Sequence, residues 1–345
     1  MARRSWGRSV LAALLSAAGL AAAQLGLGYG LGIISWPEAG ADSASDTGAW
    51  SAALVWTVWI GATSVVVGAV IGDRLGGSAG GGWFGRAMWR LVVALAATLG
   101  ALVTIPLVAV PAQGAVVVDN YAPHLLASVY AAIGAVLGLV VAVFALVARA
   151  IAANVIATAG WLWVLAVIAV TDGVTTGRGL GYAQLAVWKF TDEGPIWRQF
   201  YLPGVLVMLG SALLIGGLAA FPSAGRGASR IGVAVSGGFG PLLVAVAYLV
   251  AAPDKATVPF ELASAEAASP YMVLAGLAGS VLVAAIGGPA KRKPAKKARG
   301  ATSPANNTDS TNPPPATGFA AVAVPSSGNG IYHSRASAQY SSPNG

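Results

Sequence analysis

The stretch from Leu125 to Thr171 constrains the fold of this chain more than any other part of the sequence. It contains one charged residue, Arg149, and more than 20 almost wholly apolar residues lie on each side of it. Crossing the roughly 30 Å hydrocarbon core of a bilayer takes about 20 helical residues at a rise of about 1.5 Å each. We therefore expect two membrane-spanning helices joined by a very tight turn at Arg149.

The composition of the whole chain supports this interpretation. Mean hydropathy is +0.72 and only 9% of the residues are charged, whereas about 25% are charged in a typical soluble domain. The absence of cysteine excludes disulfides, thiolate metal sites and cysteine nucleophiles, and only His124 and His333 are available for histidine chemistry. We expect no metal, no cofactor and no enzymatic activity. The predominance of Ala, Gly and Val suits a GC-rich bacterial genome.

Eight segments have the length and hydropathy of a spanning helix. They cover residues about 9–34, 49–71, 88–110, 125–148, 150–171, 203–221, 231–251 and 270–286. The first segment also has the pattern of a cleaved signal peptide ending near Ala23, but its apolar run continues further, which favours an uncleaved span. Pro106 should bend the third span. The sequence predicts an all-α, polytopic integral membrane helix bundle over residues 1–288.

The sequence after Gly287 has a different character. About 45 residues rich in Ser, Pro, Asn, Thr, Gly and Ala cannot bury enough apolar surface to offset the entropy of ordering, so we expect residues 289–345 to form a disordered tail. The tail begins with a basic run, which we expect to contact anionic lipid headgroups rather than nucleic acid. The run consists of Lys291, Arg292, Lys293, Lys296, Lys297 and Arg299.

The distribution of charge predicts the orientation of the bundle. Every second connection between spans lies on the same side of the membrane. One such set consists of both termini, residues 72–90, Arg149 and residues 222–230. It holds 16 of the 20 Lys and Arg residues and two of the 12 acidic residues. The other set holds four basic and ten acidic residues; it consists of residues 35–49, 111–124, 172–202 and 252–269. Because basic flanks stay cytoplasmic, we expect a plasma-membrane protein with both termini in the cytoplasm.

The middle of the seventh span is the strongest candidate for a functional site. It reads Ser236-Gly237-Gly238-Phe239-Gly240-Pro241, and three glycines with a proline should weaken or break the helix. Discontinuous helices expose backbone groups that bind solutes in transporters. The alternative, which we favour, is a kink that lets neighbouring helices approach closely. The possible solute or helix-break site consists of Ser236, Gly237, Gly238, Gly240 and Pro241.

Polar residues elsewhere in the spans offer two interpretations. They line a path through the membrane or, as is more common, they hydrogen-bond to a neighbouring helix or to their own backbone. These residues are Gln24, Thr57, Ser64, Thr98, Asn154, Thr158, Ser211 and Tyr248. No ionisable residue lies near the middle of a predicted span, which disfavours charge-coupled transport.

Three functions are compatible with these features. The first is a non-enzymatic scaffold or accessory subunit of the cell envelope, whose partners are the lipid bilayer and other membrane protein subunits. The second is a permease for a neutral or apolar small solute. The third is lipid-linked glycosyl transfer. Glu38, Asp42 and Asp46 resemble the catalytic acids of such multi-span enzymes in position only, and we interpret them as a solvated acidic loop.

Overall fold

The computed structural model describes residues 2–37, 43–76, 82–115, 122–177, 184–189, 196–197, 200–226, 228–251 and 260–286. The helices in these ranges are α1 (Ala2–Gly30), α2 (Ser43–Gly76), α3 (Trp83–Ala101), α4 (Thr104–Ala109), α5 (Pro123–Val147), α6 (Arg149–Thr175), α7 (Leu202–Gly225), α8 (Arg230–Ser236), α9 (Phe239–Val250) and α10 (Phe260–Ile286). Two short antiparallel strands, β1 (Ile196–Trp197) and β2 (Phe200–Tyr201), precede α7.

Seven segments of the described residues are long and apolar enough to cross a bilayer, and α8 with α9, bent by 43° at their break, makes eight if the pair is one span. One of the seven is Trp83–Gly114, which includes both α3 and α4. The prediction of an all-α polytopic membrane bundle with about eight spans is therefore confirmed, and the protein is a multi-pass integral membrane protein. The predicted tail, including its basic run, lies outside the described residues.

The turn between the fourth and fifth spans is as tight as the sequence predicts. Ala148 alone separates α5 from α6, with φ −120° and ψ 109°, and its amide donates to the carbonyl oxygen of Phe144 at 2.9 Å. Arg149 is the first residue of α6 rather than the turn residue itself. A single extended residue is the whole connection between the two helices.

Pro106 breaks the third span, but the break lies before the proline. The non-helical residues are Leu102 and Val103, between α3 and α4. A proline ring collides with the carbonyl of the residue four positions earlier and offers it no amide, and for Pro106 that residue is Leu102. The sequence predicts a bend within residues 88–110, and the helix is interrupted there about one turn before the proline, because the clash acts on the preceding turn.

The eighth span begins earlier than the sequence predicts. We expected a loop containing Glu261 and Glu266 before a span at residues 270–286, but α10 starts at Phe260 and includes both acids. Pro270 lies inside the helix, and the hydroxyl of Ser269 donates to the carbonyl oxygen of Glu266, the group that Pro270 leaves without an amide partner, at 2.8 Å. This local compensation lets the helix continue through the proline.

Helix α2 lies at the centre of the bundle. It contacts α1, α3, α5, α6 and α9. Its Trp56, Trp59 and Ile60 are fully buried. In the most apolar part of α2, 89% of the residues are buried, whereas in the most apolar part of α1 only 22% are buried. Small residues let α1 approach α2 closely: a methyl group added at Gly68 would lie 2.6 Å from the Cβ atom of Ala17. The bundle is thus packed around one apolar helix.

Candidate functional site

The predicted helix break lies between α8 and α9 at Gly237 and Gly238. Their φ angles, −69° and −83°, are ordinary right-handed values, so the backbone conformation itself does not require glycine. The requirement is spatial. A Cβ atom at Gly237 would overlap the carbonyl oxygen of Gly276 on α10 and would lie 2.6 Å from the Ser280 hydroxyl oxygen. The missing side chain therefore permits backbone contact between two spans.

Side chains from two other spans complete the hydrogen bonds at the break. The amide of Gly237 donates to Oγ of Ser280 on α10 at 3.2 Å, and the Ser280 hydroxyl in turn donates to the carbonyl oxygen of Ala234. The amide of Gly240 donates to Oδ1 of Asn154 on α6 at 2.8 Å. An unpaired amide is costly in a lipid interior, so these bonds stabilise an otherwise unfavourable break.

Two buried polar atoms beside the break have no hydrogen-bond partner among the described residues. They are Nδ2 of Asn154 and Oγ1 of Thr158, one turn apart on α6. Both side chains are essentially inaccessible, and both face Gly240, where an added Cβ atom would contact them. Buried polar groups are normally satisfied, so this pair is the main polar irregularity at the break.

The other predicted residues of the site have structural contacts. The Ser236 hydroxyl donates to the carbonyl oxygen of Val233 within its own helix at 2.7 Å. Pro241 is buried in the first turn of α9, where a missing amide removes no intrahelical bond, and its ring lies near Gly276. Gly238 faces the side chain of Leu277. The break therefore brings the predicted residues against α6 and α10.

Gln24 joins three spans through side-chain hydrogen bonds. Its Nε2 atom donates to Oγ of Ser64 on α2 at 2.9 Å, and its Oε1 atom accepts a bond from the indole of Trp163 on α6 at 2.8 Å. The ring of Trp163 lies 5.1 Å from that of Trp56. Two of the polar residues that the sequence singled out, Gln24 and Ser64, thus bond to each other between helices.

Most remaining polar residues of the spans bond to backbone. Thr57, Thr98 and Ser211 donate to carbonyl oxygens of their own helices at 2.8, 2.9 and 3.0 Å. Tyr248 on α9 donates instead to the carbonyl oxygen of Leu185, outside the helices, at 2.6 Å. The interpretation of these groups as bonded to their own backbone fits the geometry at Thr57, Thr98 and Ser211, whereas Tyr248 bonds to a connecting segment.

Acidic residues do not assemble into a site in the described part of the chain. Glu38 and Asp42 lie outside the described residues, and Asp46 falls on α2 rather than in the predicted loop 35–49. Among the described residues, no three His, Asp or Glu side chains are placed to hold a metal ion. The basic run from Lys291 to Arg299 also lies outside the described residues.

In the sequence, four arginines near the ends of α2, α3 and α6 serve only to predict topology, but the structure brings them to one cavity.

No protein-family model, no curated protein and no solved structure is significantly similar to the chain. The class of the protein, a multi-pass integral membrane protein, therefore follows from its own helices.

Proposed function

We propose that the protein is a non-enzymatic scaffold or accessory subunit of a membrane assembly. The observation that supports this most is how the helix break is closed. Where a broken helix binds a solute, its free backbone groups are available to that solute. Here Ser280 and Asn154 take up the amides of Gly237 and Gly240, and the contact with Gly276 has no room for a methyl group.

The same features suit a structural component. Hydrogen bonds join α1, α2 and α6 through Gln24, and α6, α8, α9 and α10 through the groups at the break. Between them these bonds connect helices from both halves of the chain. A bundle fixed in this way presents a constant surface, which is what a subunit that positions other membrane proteins requires.

We place the protein in the plasma membrane with both termini in the cytoplasm. In this topology, successive connections between the spans alternate between the two sides of the membrane, and two observations support that alternation. Arg74 and Arg86, from residues 72–90, line one cavity with Arg149, so these two basic connections share a side. On the other set of connections, Nζ of Lys189 lies 2.7 Å from the Glu261 carboxylate.

Reporter fusions test this orientation. A tag after Asp42 and a tag after Arg226 should report opposite compartments, with the tag after Arg226 in the cytoplasm. Two tags on the same side would overturn the topology.

Purification in mild detergent or native nanodiscs, combined with crosslinking in intact cells, tests the scaffold proposal. We expect a membrane protein partner to copurify in a fixed stoichiometry and to crosslink before lysis. Thr57→Val should retain the partner, because the Thr57 hydroxyl bonds only within α2. A chain that purifies and crosslinks only with itself would contradict the proposal.

A permease for a neutral solute is the second candidate, and the unpartnered atoms of Asn154 and Thr158 favour it. Thr158→Val removes the hydroxyl while keeping the shape of the side chain. If the hydroxyl contacts a solute, swelling of proteoliposomes in glycerol, urea or erythritol should be slower for this variant than for the native chain. If the protein is a scaffold, neither form should transport these probes, and Thr158→Val should keep its partner and unfold at an equal or higher temperature.

A further inference from the structure

A cavity of about 610 Å³ lies where the ends of α2, α3, α5 and α6 meet. Its charged lining consists of Asp73, Arg74, Arg86, Arg90 and Arg149. Trp89 of α3 and apolar side chains of α2, α5 and α6 complete the wall. Arg74 of α2 and Arg86 and Arg90 of α3 are close in the sequence, but Arg149 begins α6, so the fold brings Arg149 to the other three.

None of the four guanidinium groups forms an ion pair or a hydrogen bond with another described residue. The segment 77–81, which connects α2 to α3 and lies outside the described residues, reads Gly-Ser-Ala-Gly-Gly and so supplies no carboxylate. Four guanidinium groups and one carboxylate leave the cavity with three net positive charges. Like charges at one site repel one another, and an anion with several charges would relieve that repulsion.

The residues around the cavity are those expected at the level of the lipid headgroups. Trp83 and Phe84, in the first turn of α3, are 78% and 70% exposed, as expected of aromatic rings at the membrane–water interface. Val70, Leu146 and Val147 line the same cavity as the arginines. The cavity therefore combines cationic and apolar walls at the interface, which matches an amphiphile better than a small soluble ion.

We propose that this cavity binds the headgroup of an anionic phospholipid with two phosphate groups, of the cardiolipin type. Guanidinium groups bind phosphate oxygens in bidentate fashion, and basic pockets between spans on the cytoplasmic side accept such headgroups. Three net positive charges match two phosphates better than the single phosphate of phosphatidylglycerol. The proposal stands whether the protein is a scaffold or a permease.

Full-length protein in phosphatidylcholine nanodiscs is the material for the test. Native mass spectrometry would measure the binding of added cardiolipin, phosphatidylglycerol or inorganic phosphate. We expect cardiolipin to bind most tightly and inorganic phosphate not to displace it. In Arg86→Gln/Arg90→Gln the dissociation constant for cardiolipin should rise about 25-fold, at about fivefold per arginine near the surface. Asp73→Asn should lower it.

Arg230→Gln is the matched control, because Arg230 is an exposed arginine at the start of α8 and does not line the cavity. It should bind cardiolipin as the native chain does. Should the double variant fail to fold, Arg149→Gln alone should raise the dissociation constant about fivefold. Equal losses in Arg230→Gln and the cavity variants would overturn the site, and displacement by inorganic phosphate would overturn the lipid as its ligand.

Discussion

The second and seventh spans are neighbours in one bundle, but they satisfy their backbone hydrogen bonds in different ways. α2 runs unbroken from Ser43 to Gly76, and its buried Thr57 and Thr63 hydroxyls bond to carbonyl oxygens of the same helix. The seventh span stops between α8 and α9 and depends on Ser280 and Asn154, which belong to other helices.

The comparison separates two sources of stability in lipid. Water cannot complete a broken hydrogen-bond ladder there, so an intact helix is self-sufficient and a broken one depends on its neighbours. A substitution in a neighbouring span should therefore affect the seventh span, whereas the Thr57 hydroxyl, which bonds only within α2, should be dispensable. Both spans share a dependence on glycine where backbones approach closely.

The largest effect should come from Gly237→Ala. The added methyl group meets the backbone of Gly276, which cannot move without shifting α10, so we expect the free energy of unfolding to fall by about 3 kcal/mol. Gly238→Ala is the adjacent control, because its methyl group meets only the flexible end of Leu277, and it should cost less than about 1 kcal/mol. Thermal unfolding in detergent measures both. Equal losses would show that the break needs glycine for another reason.

Gly68→Ala tests whether α2 is equally sensitive to close packing. Its methyl group would lie 2.6 Å from Cβ and 2.8 Å from the amide nitrogen of Ala17, so we expect a loss of about 2 kcal/mol. Gly19→Ala on α1 is the control, because nothing lies within 4 Å of the new atom. That variant should be neutral or slightly stabilising, since alanine favours helix. A harmless Gly68→Ala would mean that α1 and α2 pack loosely.

Ser280→Ala should have an intermediate effect. It leaves the Gly237 amide and the Ala234 carbonyl oxygen without this partner, and we expect a loss of about 1 to 2 kcal/mol. Ser211→Ala removes a hydroxyl that bonds only to Met208 of its own helix, so its loss should be smaller. If the two serine variants unfold at the same temperature, the break does not depend on α10 for hydrogen bonding.

The smallest effect should come from Thr57→Val in α2. The side chain keeps its shape, and the carbonyl oxygen of Ala53 retains its helical amide, so we expect a change below about 0.5 kcal/mol. The same thermal unfolding assay applies. A loss as large as that of Ser280→Ala would remove the distinction between the two spans.

Sequence alone predicted the features that depend on local chemistry. Hydropathy located the spans, the charge-poor run around Arg149 indicated the tight turn, and the glycines from Gly237 to Gly240 indicated the break. The start of α10 was missed because Glu261 and Glu266 lower the hydropathy of residues 260–269. Their alanine-rich context favours helix, and helix propensity would have been the better guide there.

Features that depend on tertiary arrangement were not accessible in the same way. The hydropathy of α2 is similar to that of α6, so nothing in composition indicates which of them lies at the centre. The arginines of the cavity carried a clear topology signal, but their convergence requires the packing of α2, α3 and α6. Likewise, the sequence does not indicate that Gly237 faces the backbone of α10 whereas Gly238 faces a side chain of α10.

The central position of α2 also bears on biosynthesis. α2 is the second span to leave the ribosome, yet α5, α6 and α9, which help to enclose it, are translated later. Until α6 arrives, the indole ring of Trp56 lacks its contact with Trp163. The central helix is therefore synthesised before several of the helices that pack against it, so a nascent chain that ends before α9 has an incompletely packed core.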